Sequence, residues 1–256
     1  MKIPSEYSVL LPMQRGAKGK DVQLVQEWLS LNGVQLRADG DYGPATEASV
    51  RKFQTKAKLQ PTGVVDEYTM RALIAPLNRA CKPLTTTAET YSQRVVAAAR
   101  NHLREHPREV GGQNKGPWVR LYTHGKEGSA YPWCAAFVTY LMHQAAESMK
   151  NPAMPIKGSL SCDELAKQAV TAERFVSEDE LRSGERSRTE LVPGTIFLVR
   201  NKTNAKDWMH TGLVTGVMND YFETIEGNTN DDGDREGYEV CRRLRGFGHM
   251  DFILLG

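Results

Sequence analysis

Side chains able to do nucleophilic chemistry are sparse in this 256-residue chain, which has four cysteines and six histidines. The cysteines, Cys81, Cys134, Cys162 and Cys241, are widely spaced, with no Cys-x-x-Cys pair and no Cys/His cluster. Zinc sites need ligands paired at short spacing, and disulfide scaffolds need a higher cysteine density. No metal site is therefore expected, and the cysteines read as free thiols. Cys134 stands apart by its position. In YPWCAAFVTY, Pro132 disfavours helix before it, and an apolar helical pattern begins after it. A thiol opening a helix meets unpaired backbone N–H groups, which favour the thiolate. A cysteine beside Ala135, Ala136 and Phe137 would also suit a core, so a base is needed to distinguish the two readings.

Of the histidines, His102 and His106 fall at the polar end of a helical stretch and read as solvated. His143 shares the Cys134 helix but lies about two and a half turns along it. His124 lies in a Gly-rich loop, and His249 follows RGFG. His210 heads the strand-like TGLVTGV, where a side chain can face a helix terminus. Its second ring nitrogen needs an orienting group. YFETIEGNTN offers Glu226 and Asn228, two apart and so on one face of an extended strand. A hairpin turning near Asn219-Asp220 returns residue 229 roughly opposite 210, so His210, Glu226 and Asn228 can converge. Either of the last two can serve as the orienting group.

These residues need elements to hold them. Lys+Arg is 33 and Asp+Glu 31, a net charge of +2, with 40% hydrophobic and 25% charged residues. That is globular composition, long enough for one or two domains and without the excess of cations a nucleic-acid binder uses on phosphates. No run of 18 apolar residues is present, so no membrane insertion is expected. Residues 1–80 read as a three-helix bundle. DVQLVQEWLSLNG places Val22, Val25 and Leu29 on one face, with Asp21 as the expected cap and Gly33 after the end. Pro44 opens the second helix, and the third holds Met70, Leu73 and Ile74. NRACKPLTTTAET breaks the periodicity, giving a linker at 81–90. Residues 91–256 read as α+β. YSQRVVAAARNHLRE and the nearly all-apolar CAAFVTYLMHQAAESM are helical, and SCDELAKQAVTAERF and SEDELRS read as surface helices. TIFLVR, TGLVTGVM, YFETIEG, EVCRRLR and DFILL then follow as strands. Helices followed by consecutive strands predict an antiparallel sheet packed on helices.

Residues 16–73 resemble the peptidoglycan-binding domain found in bacterial and phage wall hydrolases. Gly16, Gly19, Val22, Leu29, Gly33, the DGDYG turn at 39–43, Thr46, VRKFQ at 50–54, Gly63 and Thr69 carry the resemblance. Lys58 departs from it, standing where that family often has Gly. Most of residues 91–256 resemble the papain-like wall hydrolases, above all the CHAP type (cysteine, histidine-dependent amidohydrolase/peptidase). The carrying motifs are PWCAAFV at 132–138, PGTIFLV at 193–199, MHTGLVTGV at 209–217 and TIEGN at 224–228, with EVGGQNKGPWVRLY at 109–122 upstream. Residues 150–190 fall outside the resemblance and read as a helical insertion. The resemblance implies a papain-like fold and an amide-cleaving peptidoglycan hydrolase, an endopeptidase or an N-acetylmuramoyl-L-alanine amidase. It makes Cys134 the nucleophile, His210 the base, Glu226 the orienting group and Asn228 a fourth polar member. It also suggests Gln113 at the oxyanion, and Trp133, beside the nucleophile, is the candidate substrate contact.

NTNDDGDREGYE at 228–239 comes close to a calcium-loop spacing but has Asn228 where Asp should stand; an acidic hairpin loop explains it as well, and no cofactor is expected. The start, MKIPSEYSVLLPMQRG, does not read as a Sec signal. The expected setting is therefore synthesis in the cytoplasm and delivery to the wall by a phage holin or a type VI secretion machine. Peptidoglycan is then the partner, together with an immunity protein in the second case. The alternative is an inactive wall-targeting protein, or a transferase passing the acyl group to an amine.

Overall fold

The computed structural model describes residues 9–84, 90–149, 153–204, 206–230 and 237–256. In chain order its elements are helices α1 (Lys20–Leu31), α2 (Pro44–Lys56), α3 (Glu67–Leu73), α4 (Ala75–Ala80), α5 (Tyr91–Arg104), α6 (Pro117–Tyr122), α7 (Cys134–Glu147) and α8 (Cys162–Thr171), strand β1 (Phe175–Val176), helix α9 (Glu178–Ser183), and strands β2 (Ile196–Arg200), β3 (Trp208–Val217), β4 (Tyr221–Thr229), β5 (Glu239–Gly246) and β6 (Met250–Ile253). Most of the expected linker, at 85–89, and the centre of the calcium-like loop, 231–236, lie outside the described residues. Among the described residues no helix is long and apolar enough to cross a membrane, and no three His, Cys, Asp or Glu cluster as metal ligands.

The chain divides into two compact units, one of Lys2–Arg79 with Arg108–Gly128, the other of Ala80–Pro107 with Ser129–Gly256. The expected boundary, a single cut near 81–90, gives 108–128 to the other side. The physical reason lies in three contacts. Arg120 Nη2 donates to Glu27 Oε2 at 2.6 Å with both side chains buried, Trp118 packs edge-on to Trp28 at 6.1 Å, and Arg108 donates to the carbonyls of Ser30 and Leu31. Burial raises the pKa of the Glu27 carboxyl against the pull of Arg120.

In the N-terminal unit, α1 buries Val22, Leu24, Val25, Trp28 and Leu29. Its cap is Gly19 rather than Asp21, which instead accepts from the Leu10 N–H. Two buried glutamines organise the turns that follow α1 and α2. Gln26 Nε2 donates to Thr46 Oγ1 at 3.0 Å while its Oε1 accepts from Gly40 N at 2.8 Å. Gln54 repeats the pattern, donating to Thr69 Oγ1 at 3.0 Å and accepting from Gly63 N at 2.9 Å. Each therefore fixes a glycine turn and the third residue of the next helix. Lys58, one residue past the C-cap of α2, takes the left-handed φ of +59° that a glycine would adopt without strain.

The C-terminal unit is α+β: a six-stranded antiparallel sheet in the order β1-β6-β2-β3-β4-β5, with helices packed on it. All five expected strands are present. The segment expected as an insertion is built in: β1 pairs with β6 at the sheet edge, and α8 packs on β1 and β3. α7 is buried on nearly every face, as its apolar sequence predicts, and lies against α5, β3 and β4. His102 corrects an expectation. It is fully buried rather than solvated, contacts Gln144 Oε1 at 3.1 Å, and burial pushes its pKa down to about 4. Spacings of four and seven residues put it on the same face of α5 as Ala98 and Val95, which the polar flanks conceal.

Candidate active site

Cys134 is the first residue of α7, with Trp133 as N-cap. The N–H of Ala135 and the imidazole of His210 both hydrogen-bond its sulfur. His210 stands near the start of β3. Its Nε2 lies 2.8 Å from Glu226 Oε2, which leaves Nδ1 as the nitrogen for the thiol. Glu226, near the end of β4, is fully buried. Two glycines make this approach possible. A Cβ on Gly212 would stand 2.8 Å from both Glu226 Cγ and Phe197 Cε1, and one on Gly227 would stand 2.8 Å from Phe137 Cβ and Trp133 Cζ3. The first leaves space for the carboxylate beside β3, and the second lets β4 press against the start of α7.

Behind Glu226 sits a residue that sequence reasoning missed. Arg245 on β5 grips both carboxylate oxygens, Nε to Oε1 at 2.6 Å and Nη2 to Oε2 at 2.5 Å, and lies over the Phe197 ring. Thr224 Oγ1 donates to Oε1 at 2.6 Å. A fork of two parallel N–H donors fixes the carboxylate plane as well as its charge. In sequence, Arg245 is one of three arginines in RRLRG, with nothing local to single it out; only the β4–β5 pairing places it across from Phe222 and near Glu226.

The electrostatics follow from these contacts. Burial opposes ionisation of Glu226, but Arg245 and His210 outweigh it and hold its pKa at about 2. Burial likewise opposes the imidazolium, but Cys134 and Glu226 raise the His210 pKa to about 9. Cys162, the first residue of α8, lies with its sulfur 3.9 Å from that of Cys134. That thiol and His210 hold Cys134 well below an ordinary cysteine against the cost of burial, while Cys134 and burial push Cys162 up. The arrangement is a thiolate–imidazolium pair steadied by a carboxylate, the form in which a cysteine attacks a carbonyl and a histidine then protonates the leaving group. Cys134 keeps 4% and His210 8% of their accessible surface, so the pair lies just beneath the surface.

The remaining sequence candidates fall elsewhere. Asn228 lies at the bulge between Glu226 and Thr229 with φ +55°, so strand alternation no longer sets its direction. Among the described residues its buried Oδ1 has no hydrogen-bond partner. Trp133 is fully buried, edge-on to Phe137, and supports the start of α7 rather than offering a face to substrate. Gln113 belongs to the unit that holds Arg108–Gly128, whereas Cys134, His210 and Glu226 belong to the other.

No curated protein matches the chain. Among solved structures, the crystal structure of Burkholderia AP3 phage endolysin is matched with 24% identity and a TM-score of 0.24, over 41% of this chain and 40% of that one, so the chain spans well under two thirds of its length. Residues 18–73, which contain α1, α2 and α3 with the two glutamine-held turns, match the family described as putative peptidoglycan binding domain.

Proposed function

We propose that this chain is a cysteine hydrolase of the bacterial cell wall, with an N-terminal unit that holds peptidoglycan and a C-terminal unit that cuts an amide of the stem peptide. The observation that carries the reading is the Cys134–His210–Glu226 relay, backed by Arg245, in a chain whose residues 18–73 match a peptidoglycan-binding family.

In the reaction, the Cys134 thiolate attacks the amide carbonyl carbon and the carbonyl oxygen becomes an oxyanion. The N-terminus of α7 supplies backbone N–H groups toward that charge, an effect commonly worth about 10²–10³ in rate. His210 gives its proton to the leaving amine as the C–N bond breaks, which leaves a thioester on Cys134. His210 then takes a proton from water, the resulting hydroxide attacks the thioester, and the acid product leaves with the thiolate restored. Glu226, held by Arg245 and Thr224, stays ionised and keeps the ring oriented throughout. The 4% exposure of Cys134 requires neighbouring side chains to give way as substrate enters. Such an enzyme reaches the wall past a phage holin or through a type VI secretion machine, and in the second case an immunity protein would cover Cys134.

The test is digestion of purified sacculi with wild type and Cys134→Ala, followed by chromatography and mass spectrometry. Wild type should release fragments with new amino and carboxyl termini at one amide position, the muramoyl–alanine junction or a peptide bond within the stem. Cys134→Ala should pellet with sacculi and release none. Equal release by both proteins would remove the cysteine mechanism, and pelleting without release by wild type would leave a binding protein.

A further inference from the structure

Cys162 forms and breaks no bond in that mechanism, yet its position is specific. Cys134 and Cys162 each open a helix, α7 and α8, and both sulfurs are buried, 3.9 Å apart. The start of α8 is fixed there. Ser161 caps it, and Asp163 Oδ1 accepts the Trp208 N–H at 2.8 Å, which ties the helix to β3 two residues before His210. Cys81 lies by Tyr140, and Cys241 sits on β5 opposite Glu226.

From this geometry we propose that Cys134 and Cys162 are a redox modification site, closing to a reversible disulfide that silences the nucleophile. The sulfurs must approach from 3.9 Å to about 2.05 Å, a movement that side-chain rotation at two helix starts can supply. The oxidant is a small-molecule disulfide. The Cys134 thiolate attacks one of its sulfurs, breaking that S–S bond, and one thiolate leaves and takes a proton from water. Cys162 then gives its proton to water and attacks the Cys134 sulfur, and the second reagent thiolate departs and takes the proton that His210 had held opposite the Cys134 thiolate. One disulfide is reduced to two thiols while two protein thiols become one disulfide. The difference between the two cysteines orders the steps: Cys134 is the stabilised thiolate and attacks first, and Cys162, held as the neutral thiol, resolves. Disulfides persist outside the cytoplasm, where the wall lies, so an enzyme delivered reduced would have a limited working life there.

The loss of lysis rests on the hydrolase reading, whereas the disulfide does not, so the experiment reads them separately. The full-length folded protein is equilibrated in reduced/oxidised glutathione buffers of increasing potential, alkylated and mapped by peptide mass spectrometry, with sacculus digestion measured in parallel. Wild type should give a Cys134–Cys162 cross-linked peptide as the potential rises. Its lysis should fall along the same curve and return with dithiothreitol. Cys81→Ser and Cys241→Ser should behave as wild type. Cys162→Ala, or Cys162→Ser should the first fold poorly, should instead accumulate a glutathione adduct on Cys134. Wild type that stays reduced, stops at the Cys134 adduct or cross-links another pair overturns the proposal. A reduced wild type that never lyses overturns the hydrolase reading while the mapped cross-link still decides this one.

Discussion

His210 is raised above the ordinary histidine value of 6.5 to about 9, and Glu226 is held below 4.5 at about 2. A group whose folded pKa is raised stabilises the fold while protonated. His210 therefore contributes fully below about pH 6.5, and that contribution is lost as pH rises through about 9. Glu226 works in the opposite direction, contributing above 4.5 and losing it as pH falls toward 2. Cys134, held below an ordinary cysteine, works against His210 over the same range, so urea midpoints should stay nearly flat between about pH 7 and 9, whereas lysis should lose its basic limb as the imidazolium is titrated. Glu226→Gln removes the carboxylate that favours imidazolium, so the basic limb of lysis should move to lower pH, with lysis at pH 7 reduced roughly 10²–10⁴-fold. A basic limb unchanged in Glu226→Gln would show that Glu226 does not hold the ring. Arg245→Met leaves Glu226 buried without its fork. With Arg245 itself 20% exposed, the loss should come near the lower end of the 3–5 kcal/mol typical of broken buried pairs, about 3 kcal/mol, read as a shift in urea midpoint. Cys134, His210 and Glu226 were legible because each stands at or near the end of an element, where type and position coincide. Arg245 and Cys162 were not: one is an arginine among arginines on an outer strand, and the other opens a helix whose remaining pattern is that of a surface.

At the scale of elements, helix and strand periodicity survived into the structure because α1, α2, α7 and β2 to β6 each bury a face large enough to be read as a pattern. β1 did not, since two residues carry no period and only pairing with β6 makes Phe175–Val176 a strand. The glutamines of the N-terminal unit were also invisible. Gln26 and Gln54 are polar residues on amphipathic helices, and only coordinates reveal that each is buried and bonds both to a turn glycine and to the third residue of the next helix. This gives a test of the second turn that does not touch the reaction. Gln54→Leu keeps an aliphatic side chain of similar length but strips the Gly63 N–H, the Val64 carbonyl and Thr69 Oγ1 of a shared partner. Leaving buried polar groups unpaired costs about 1–3 kcal/mol, so the urea midpoint should fall accordingly and sacculus binding should weaken, while oxidation of Cys134 and Cys162 should proceed as in wild type. An unchanged midpoint would mean that the amide contributes nothing to the turn.

For the molecule as a whole, the chain order and the compact units disagree. A linker-like stretch near 81–90 invites a cut there, yet Arg108–Gly128 is packed with Lys2–Arg79. A linker is visible in composition, but a long-range ion pair between Glu27 and Arg120 is not, because nothing near either residue names its partner ninety-three positions away. Removing residues 1–80 should therefore not release an intact second half. The truncated chain keeps 108–128 but deprives Trp118 of Trp28 and Arg120 of Glu27, which exposes an aromatic surface and strips a formerly buried guanidinium of one of its two carboxylates. Limited trypsin digestion with mass spectrometry distinguishes the outcomes. In the full chain Arg120, with 4% of its side chain exposed, should resist cleavage; in the truncated chain cleavage after Arg120 should be among the first events. Glu27→Ala in the full chain should fall between the two, with the breakage of a buried pair costing about 3–5 kcal/mol. Protection of Arg120 in the truncated chain equal to that in the full one would show that 108–128 owes its fold to the sheet-bearing half, and that the two units follow the order of the sequence after all.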